Sequence, residues 1–296
     1  MFWMTELPKF PYDWWRYVGM HYPGLCAIAA FAAFAYGACL GSFINVCIWR
    51  MPRRESVVSA PSHCTSCGAH IKWYDNLPVI SFLVLRGRCR VCREPYSPRY
   101  FLVEVLTGVL FVAVLFKAGL TQQEPGVLFF YCVLVLLAVG AAWIDAEHRI
   151  IPDALNFSAM ALALAGSLAM PRVWGTPVWY KAGFLCLASG LLPGAGLAVF
   201  ALLGKLFGGT EVLGRGDVKF TIAIGMLIGL PGALFALTAG SLAGTIWGVT
   251  RCLVRKESLK RASIAFGPFL AAASVAWIFV GDAVLKLAEM LKNHGG

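Results

Sequence analysis

Charged residues are scarce in this chain, and acidic residues are scarcer than basic ones. Only 14% of the 296 residues are charged, and Asp and Glu together number 15. Hydrophobic residues make up 59% of the chain, and the mean hydropathy is +0.73. A soluble globular domain contains about 45–50% apolar and about 25% charged residues. The composition therefore excludes an ordinary soluble domain and predicts a polytopic membrane protein.

The sequence motifs of several enzyme classes are also missing. The chain has no HExxH pair of the metalloproteases, no GxSxG turn of the serine hydrolases and no Walker A lysine. It also lacks a GxGxxG loop after a strand, which would indicate dinucleotide binding. These absences leave carboxylates and cysteines as the side chains to consider for catalysis and metal binding.

Long apolar runs predict the fold class. A helix needs roughly 20 apolar residues to cross the bilayer core. We predict an all-α polytopic membrane protein with about eight transmembrane helices and a small cytoplasmic zinc-ribbon-like domain between the first two. The first run leads into a basic segment, so we do not expect a cleavable signal peptide. The predicted spans lie near residues 24–49, 101–118, 127–144, 154–170, 182–204, 218–230, 232–250 and 264–285.

The domain boundaries follow from these runs. We predict an N-terminal periplasmic tail over residues 1–23 and the first transmembrane helix over residues 24–49. A cytoplasmic zinc-binding domain follows over residues 50–100, and a multi-span membrane domain over residues 101–296.

The basic residues fall mainly on one side of the predicted membrane topology. That side holds 18 of the 25 Lys and Arg residues, with nine between Arg50 and Arg99 and five between Arg251 and Arg261. The positive-inside rule places these loops in the cytoplasm. The net charge of +10 is then explained by topology and by contact with the lipid bilayer. We expect no nucleic-acid partner.

Four cysteines of the segment between the first two spans form two CxxC pairs. The pairs are separated by 21 residues, a spacing typical of zinc ribbons. Two disulfides are the alternative, but a reducing cytoplasm favours zinc. A metal with four thiolate ligands has no open position for water, so we predict a structural zinc ion. The predicted ligands are Cys64, Cys67, Cys89 and Cys92.

Three aspartates lie at predicted cytoplasmic ends of spans, where a carboxylate is costly and therefore a candidate for function. Asp153 follows a proline at a helix start, where capping and the helix dipole explain it well. Asp145 lies at a helix end, where the dipole disfavours negative charge. Asp217 follows Gly214 and Gly216, whose backbone can adopt positive φ angles and lie close against an extended substrate. Two neighbouring carboxylates share a proton and can hydrolyse a peptide bond.

Together these segments resemble the type IV prepilin peptidases, which are bifunctional leader peptidase/N-methyltransferases with the GxGD signature of aspartic proteases. The motifs span nearly the whole chain. They are GSFINVCIWRMPR at 41–53, the paired CxxC loop followed by SPRYFLVE at 97–104, IDAEHRIIPDALN at 144–156, GRGDVKF at 214–220 and FGPFLA at 266–271.

The resemblance implies that Asp145 and Asp217 are catalytic, with Asp153 as a structural neighbour, and that residues 101–296 form the peptidase domain. It implies removal of a short basic leader, after a glycine, from type IV prepilins or type II secretion pseudopilins. It also implies N-methylation of the new N-terminus with S-adenosylmethionine. The expected location is the bacterial inner membrane, with the active site facing the cytoplasm.

Some residues keep two interpretations. Lys219 is expected to support the substrate or the Asp217 loop, or to anchor the helix at the membrane interface. Ser42 and Asn45 belong either to a cofactor site or to helix packing. Glu104 either pairs with a nearby arginine or contacts the substrate. The methyl-donor site is not located by any motif. An ion-coupled transporter that uses the same two aspartates is the alternative function, although transporters more often place such acids near the membrane midplane.

Overall fold

The computed structural model describes residues 22–58, 62–120, 124–208, 214–255 and 265–294. The predicted periplasmic tail therefore lies almost wholly outside the described residues. The chain divides into two compact units, one ending near residue 122 and the other beginning there. The predicted domain boundaries remain a prediction, and the structure groups the helix after the cysteine segment with the first unit.

The N-terminal unit is built on two long antiparallel helices. Helix α1 spans Pro23–Arg50 and α3 spans Arg99–Leu120, and the two pack against each other. A Cβ added at Gly41 of α1 would lie 3.0 Å from the Cα of Glu104 in α3. Small residues allow this close approach. In a membrane the hydrophobic effect does not drive helix association, so van der Waals packing at such contacts stabilises the helix pair instead.

The segment between α1 and α3 contains only short elements in its described part. These are the 3₁₀ turns Met51–Arg53 and Trp73–Asn76 and the helix α2, Ile80–Leu85. Two isolated antiparallel bridges, His63 with His70 and Arg88 with Pro95, flank the two CxxC pairs. The predicted small domain between the first two long helices is thereby confirmed as a zinc-ribbon-like fold.

In its described residues, the C-terminal unit is a bundle of five helices. They are α4 (Pro125–His148), α5 (Asp153–Ala169), α6 (Trp179–Gly208), α7 (Arg215–Arg255) and α8 (Gly267–His294). Helix α7 packs against the other four, and α4 also packs against α5 and α8. The most buried side chains of this unit come largely from α4 and the first half of α7. The bundle therefore has its core along these two helices.

Within the described residues, six helices are long and apolar enough to cross a membrane, and no β-strand is formed. The prediction of an all-α polytopic membrane protein is confirmed. Helix α5, with 17 residues, is shorter than these six, and the predicted spans 218–230 and 232–250 both lie in α7. Gly229 interrupts α7 with φ 77° and ψ 170°, two residues before Pro231. Proline removes a helix hydrogen bond and clashes with the preceding turn, which explains the break.

Candidate active site and metal centre

Asp145 occupies the last turn of α4 and is buried, with 6% of its surface exposed. Its Oδ2 accepts a hydrogen bond of 2.9 Å from the backbone N–H of Gly267 at the start of α8. The N-terminus of a helix carries partial positive charge, so α8 compensates the charge that the end of α4 disfavours. The structure thus supplies the explanation that the helix of Asp145 cannot provide.

Gly267 is a site residue to which sequence reasoning gave no role. It belongs to the FGPFLA motif at residues 266–271, and this motif was the feature of the sequence that could have identified it. A Cβ at position 267 would lie 2.7 Å from the Oδ2 and 3.0 Å from the Cβ of Asp145. A side chain at this position would therefore displace the Asp145 carboxyl group, and glycine is required by close approach.

Asp217 lies in the first turn of α7, where its backbone N–H donates to the Gly214 carbonyl at 3.1 Å. The Thr221 hydroxyl donates to the Asp217 carbonyl at 2.9 Å and continues the helix one turn on. The charge of Asp145 acts on the Asp217 carboxyl group. The structure therefore brings the two aspartates into electrostatic range, although 72 positions separate them in the sequence.

Gly216 does not use the positive φ angle that glycine permits, and support of the substrate by Gly214 and Gly216 stays a prediction. Gly216 already belongs to helix α7. A Cβ at Gly216 would lie 3.2 Å from the Cβ of Ile151, and one at Gly214 would lie 3.2 Å from Oδ2 of Asp217. The two glycines therefore provide room around the start of α7 for the neighbouring chain and for the Asp217 carboxyl group.

Asp153 and Lys219 form an ion pair. The Lys219 Nζ donates to both carboxylate oxygens of Asp153 at 2.7 Å and also lies 5.4 Å from the ring centroid of Phe157. Asp153 also lies in the first turn of α5, where the helix dipole favours its negative charge, as expected. Lys219, two residues after Asp217, therefore joins the start of α7 to the first turn of α5.

The four predicted zinc ligands come together in the N-terminal unit. The sulfur atoms of Cys64, Cys67, Cys89 and Cys92 all lie within 4.8 Å of one another. The two CxxC turns are built alike. In the first, the Gly68 N–H donates to the Cys64 carbonyl at 2.9 Å, and in the second the Arg93 N–H donates to the Cys89 carbonyl at 3.1 Å. Each turn presents two sulfurs to a common point, as a tetrahedral ion requires.

The thiols of this cluster differ in their ease of ionisation. Backbone N–H groups of Cys67 and Ser66 lower the pKa of the Cys64 thiol to about 6. The Glu94 N–H acts to lower the pKa of Cys92, but desolvation and the three neighbouring sulfurs raise it to about 12. Four thiolates at this separation repel one another, and a bound divalent cation removes that repulsion. The four side chains fit a zinc ion with thiolate ligands.

Two family models match the chain. One is described as the bacterial peptidase A24 N-terminal domain and covers residues 35–118. The other is described as the type IV leader peptidase family and covers residues 128–249. The first match contains the cysteine cluster, and the second contains Asp145 and Asp217.

Several similar proteins are named prepilin leader peptidase/N-methyltransferase. The one from Xanthomonas campestris is 32% identical over an alignment of 280 positions, with coverage of 85% of this chain and 91% of that protein. The one from Aeromonas hydrophila is 31% identical, with coverage of 86% and 91%. The one from Myxococcus xanthus is 37% identical over 222 residues, which cover 74% of this chain and 62% of that protein. No solved structure matches the chain.

Proposed function

Because the chain belongs to the type IV leader peptidase family, we propose that Asp145 and Asp217 form the catalytic pair of a membrane aspartic endopeptidase. Its substrates are type IV prepilins and type II secretion pseudopilins. The observation that carries the proposal is the position of the two carboxyl groups. One is buried at the end of α4 and held by the N-terminus of α8, and the other opens α7 within electrostatic range of the first.

The chemistry follows from two carboxyl groups that share one proton. The ionised carboxylate takes a proton from a water molecule, whose oxygen attacks the carbonyl carbon of the scissile peptide bond. The protonated carboxyl group donates its proton toward the carbonyl oxygen, which supports the developing negative charge. When the tetrahedral intermediate collapses, the C–N bond breaks and the leaving nitrogen takes a proton from the pair. The N–H of Gly267 fixes the orientation of Asp145 throughout.

The substrate is a short basic leader followed by an apolar helix, and cleavage after the glycine that ends the leader takes place at the cytoplasmic membrane face. The basic loops between residues 50 and 99 and near residue 251 support this orientation under the positive-inside rule. Helix α5 starts, α7 starts and α4 ends at the same region of the bundle, as the Lys219–Asp153 ion pair indicates. We place the protein in the bacterial inner membrane as a multi-pass enzyme.

Zinc is proposed as a structural ion on Cys64, Cys67, Cys89 and Cys92. It stabilises a segment whose short helices bury little apolar surface, because metal binding contributes directly to the folding free energy of such segments. Four protein ligands leave no place for a reacting water. We therefore assign the ion no part in peptide cleavage.

The second proposed reaction is methylation of the new N-terminus. S-adenosylmethionine supplies a methyl group on a sulfonium centre. The neutral α-amino group of the cleaved pilin attacks the methyl carbon, the S–CH₃ bond breaks as the N–CH₃ bond forms, and the amine loses one proton to solvent. S-adenosylhomocysteine is the second product.

The decisive experiment is cleavage of a prepilin in liposomes by the wild-type protein and by Asp145→Asn and Asp217→Asn. We expect each variant to lose cleavage by at least about a thousandfold, since each removes half of a proton-sharing pair. Asp282→Asn in α8 is the matched exchange of a carboxyl for an amide and should cleave normally. If either dyad variant cuts at the wild-type rate, that aspartate is not catalytic. Proton-coupled ion flux into the same liposomes would then favour the transporter alternative.

A further inference from the structure

A cavity of about 420 Å³ lies within the N-terminal unit, away from the proposed peptidase residues in the sequence. Its walls come from the C-terminal part of α1, the cysteine segment and the first turns of α3. Sites for small organic molecules have volumes of about 300–1,000 Å³ and contain a few polar groups on mainly apolar walls. The cavity matches that description, and the peptidase mechanism does not use it.

Glu104 places a buried carboxyl group in this cavity. It lies on α3, is 8% exposed and accepts hydrogen bonds from the Val79 N–H at 2.8 Å and from the Ser42 hydroxyl. A carboxylate offers about four lone-pair sites, so these two partners leave it able to accept hydrogen bonds from a ligand. Burial of a carboxylate costs free energy unless hydrogen bonds or an opposite charge compensate it. Glu104 therefore supplies the cavity with an anionic group that can bind a cationic ligand.

The partner of Glu104 is held in a strained backbone conformation. Val79 has φ 64° and ψ −51°, and the Ile80 N–H reaches the Pro78 carbonyl across it at 2.6 Å. A β-branched residue with positive φ in such a tight turn is a genuine outlier, and strain of this kind concentrates at ligand sites. The strained turn aims the Val79 N–H at the Glu104 carboxyl group.

Asn45 contributes a buried acceptor with no partner in the described part of the chain. Its Nδ2 donates to the Tyr100 carbonyl at 3.0 Å, while its Oδ1 has no hydrogen bond although the residue is only 1% exposed. A buried acceptor without a hydrogen bond has lost its hydration and gained no partner in return, which destabilises the fold. Asn45 lines the cavity, so a ligand N–H or O–H group can satisfy this atom.

The remaining walls describe the class of ligand. Arg50 places a buried guanidinium group at the cavity, opposite in charge to Glu104. Trp49, Phe82 and Tyr100 add aromatic surface on which a purine ring can stack. The cavity therefore suits a ligand that combines a flat heterocycle, hydrogen-bond donors, a carboxylate and a positive charge. S-adenosylmethionine has all four features.

We propose that this cavity binds S-adenosylmethionine, with the Glu104 carboxylate beside its positively charged sulfonium centre and Asn45 accepting a hydrogen bond from a ligand N–H or O–H group. This inference rests on the proposed methylation, to which it assigns a site. It also distinguishes substrate from product. S-adenosylmethionine carries one net positive charge at neutral pH and S-adenosylhomocysteine carries none, so Glu104 favours binding of the methyl donor over the spent product.

The first test locates the ligand without any substitution. Radiolabelled S-adenosylmethionine is cross-linked by ultraviolet light to the zinc-loaded, full-length wild-type protein in detergent, and the labelled peptides are mapped by mass spectrometry. We expect label between residues 42 and 104, suppressed by excess unlabelled ligand. Suppressible label confined to residues 124–294 would overturn the proposal.

The second test measures the affinities of both ligands by calorimetry. We expect Glu104→Gln to weaken S-adenosylmethionine binding by about tenfold or more and S-adenosylhomocysteine binding clearly less, since a charged contact is lost for one ligand alone. Asn45→Ala should weaken both ligands alike, because the contact that it removes is neutral. Glu289→Gln in α8 exchanges a carboxyl for an amide elsewhere and should change neither affinity. Equal losses for both ligands in Glu104→Gln would contradict the charge role.

The same variants separate this inference from the proposed function. In Glu104→Gln, we expect the methylated fraction of the cleaved pilin to fall. The wild-type protein could cleave and methylate pilin but bind the donor outside residues 42–104. That result would refute the inference and support the proposed function. A wild-type protein that labels in the cavity yet neither cleaves nor methylates would support the site and refute the function.

Discussion

The backbone N–H of Gly267 donates a hydrogen bond of 2.9 Å to Oδ2 of Asp145, although 122 positions separate the two residues. This contact ties the end of α4 to the start of α8. It compensates a buried acid with the positive end of a helix dipole, and it fixes the direction of the carboxyl group. The orientation of a proposed catalytic residue therefore depends on a backbone group that carries no chemistry of its own.

Gly267→Ala tests this relationship. The added Cβ would lie 2.7 Å from Oδ2 and 3.0 Å from Cβ and Cγ of Asp145, so the carboxyl group must move. A misplacement of about 1 Å at a reacting group costs about a hundredfold in rate, and we expect a loss of that size in prepilin cleavage. Gly196→Ala in α6 meets no atom within 4 Å and serves as the control, with unchanged cleavage. Similar rates for the two variants would show that the contact does not position Asp145.

The Lys219–Asp153 ion pair is expected to contribute little to stability. The two side chains are 32% and 58% exposed, and pairs of this kind contribute about 0–1 kcal/mol. A double-mutant cycle with Lys219→Gln and Asp153→Asn, followed by thermal unfolding in detergent, should give a coupling energy in that range that declines with salt. Cleavage by Lys219→Gln should fall by less than about tenfold. A loss as large as that of Asp217→Asn would instead give Lys219 a direct part in the reaction.

Gly41→Ala tests the close contact between α1 and α3. The added Cβ would lie 3.0 Å from the Cα of Glu104 and from Oγ1 of Thr107, and overpacking of this kind costs about 1–3 kcal/mol. We expect a lower unfolding temperature for this variant. Gly24→Ala lies in the same helix with no atom within 4 Å and should be neutral or stabilising, because alanine is the better helix former. Equal unfolding temperatures would mean that the two helices separate without cost.

The two CxxC turns place Gly68 and Arg93 at equivalent positions, with φ angles of 72° and 62°. A side chain in this left-handed conformation costs about 1–2 kcal/mol. We expect Gly68→Ala to speed the release of zinc to a competing chelator and Arg93→Gly to slow it, as measured on the intact protein. No atom lies within 4 Å of a Cβ at Gly68, so the backbone conformation alone is tested. If Gly68→Ala retains zinc as long as Arg93→Gly does, strain at this position does not influence the metal site.

Several features of this protein follow from short-range patterns in the sequence. The zinc ligands are predictable because each CxxC turn fixes two sulfurs through hydrogen bonds that span four residues, such as Gly68 to Cys64. The long helices are predictable because an apolar run of bilayer length has few alternatives in lipid. Asp145 and Asp217 are identifiable as candidates because a carboxylate beside an apolar run is costly.

The roles of residues at helix ends depend on neighbours that local sequence does not identify. At Gly214 and Gly216, the absence of a side chain makes space for Asp217 and Ile151. Asp153 lies in the first turn of α5, where the helix dipole favours it, and the structure adds its ion pair with Lys219. In both cases a neighbour distant in sequence decides the role of the residue, and composition does not identify that neighbour.

The helical membrane architecture, the cysteine cluster and the two candidate aspartates can be predicted from short stretches of residues, because each depends on residue type within a span of 4 to about 25 positions. The contact of Gly267 with Asp145 and the link of α7 to α5 through Lys219 were known only from the folded structure. It alone placed Asn45 and Glu104 in one cavity. These contacts join residues 55 to 122 positions apart, or lie between helices, and they arise from the packing of apolar faces that many helix arrangements could satisfy.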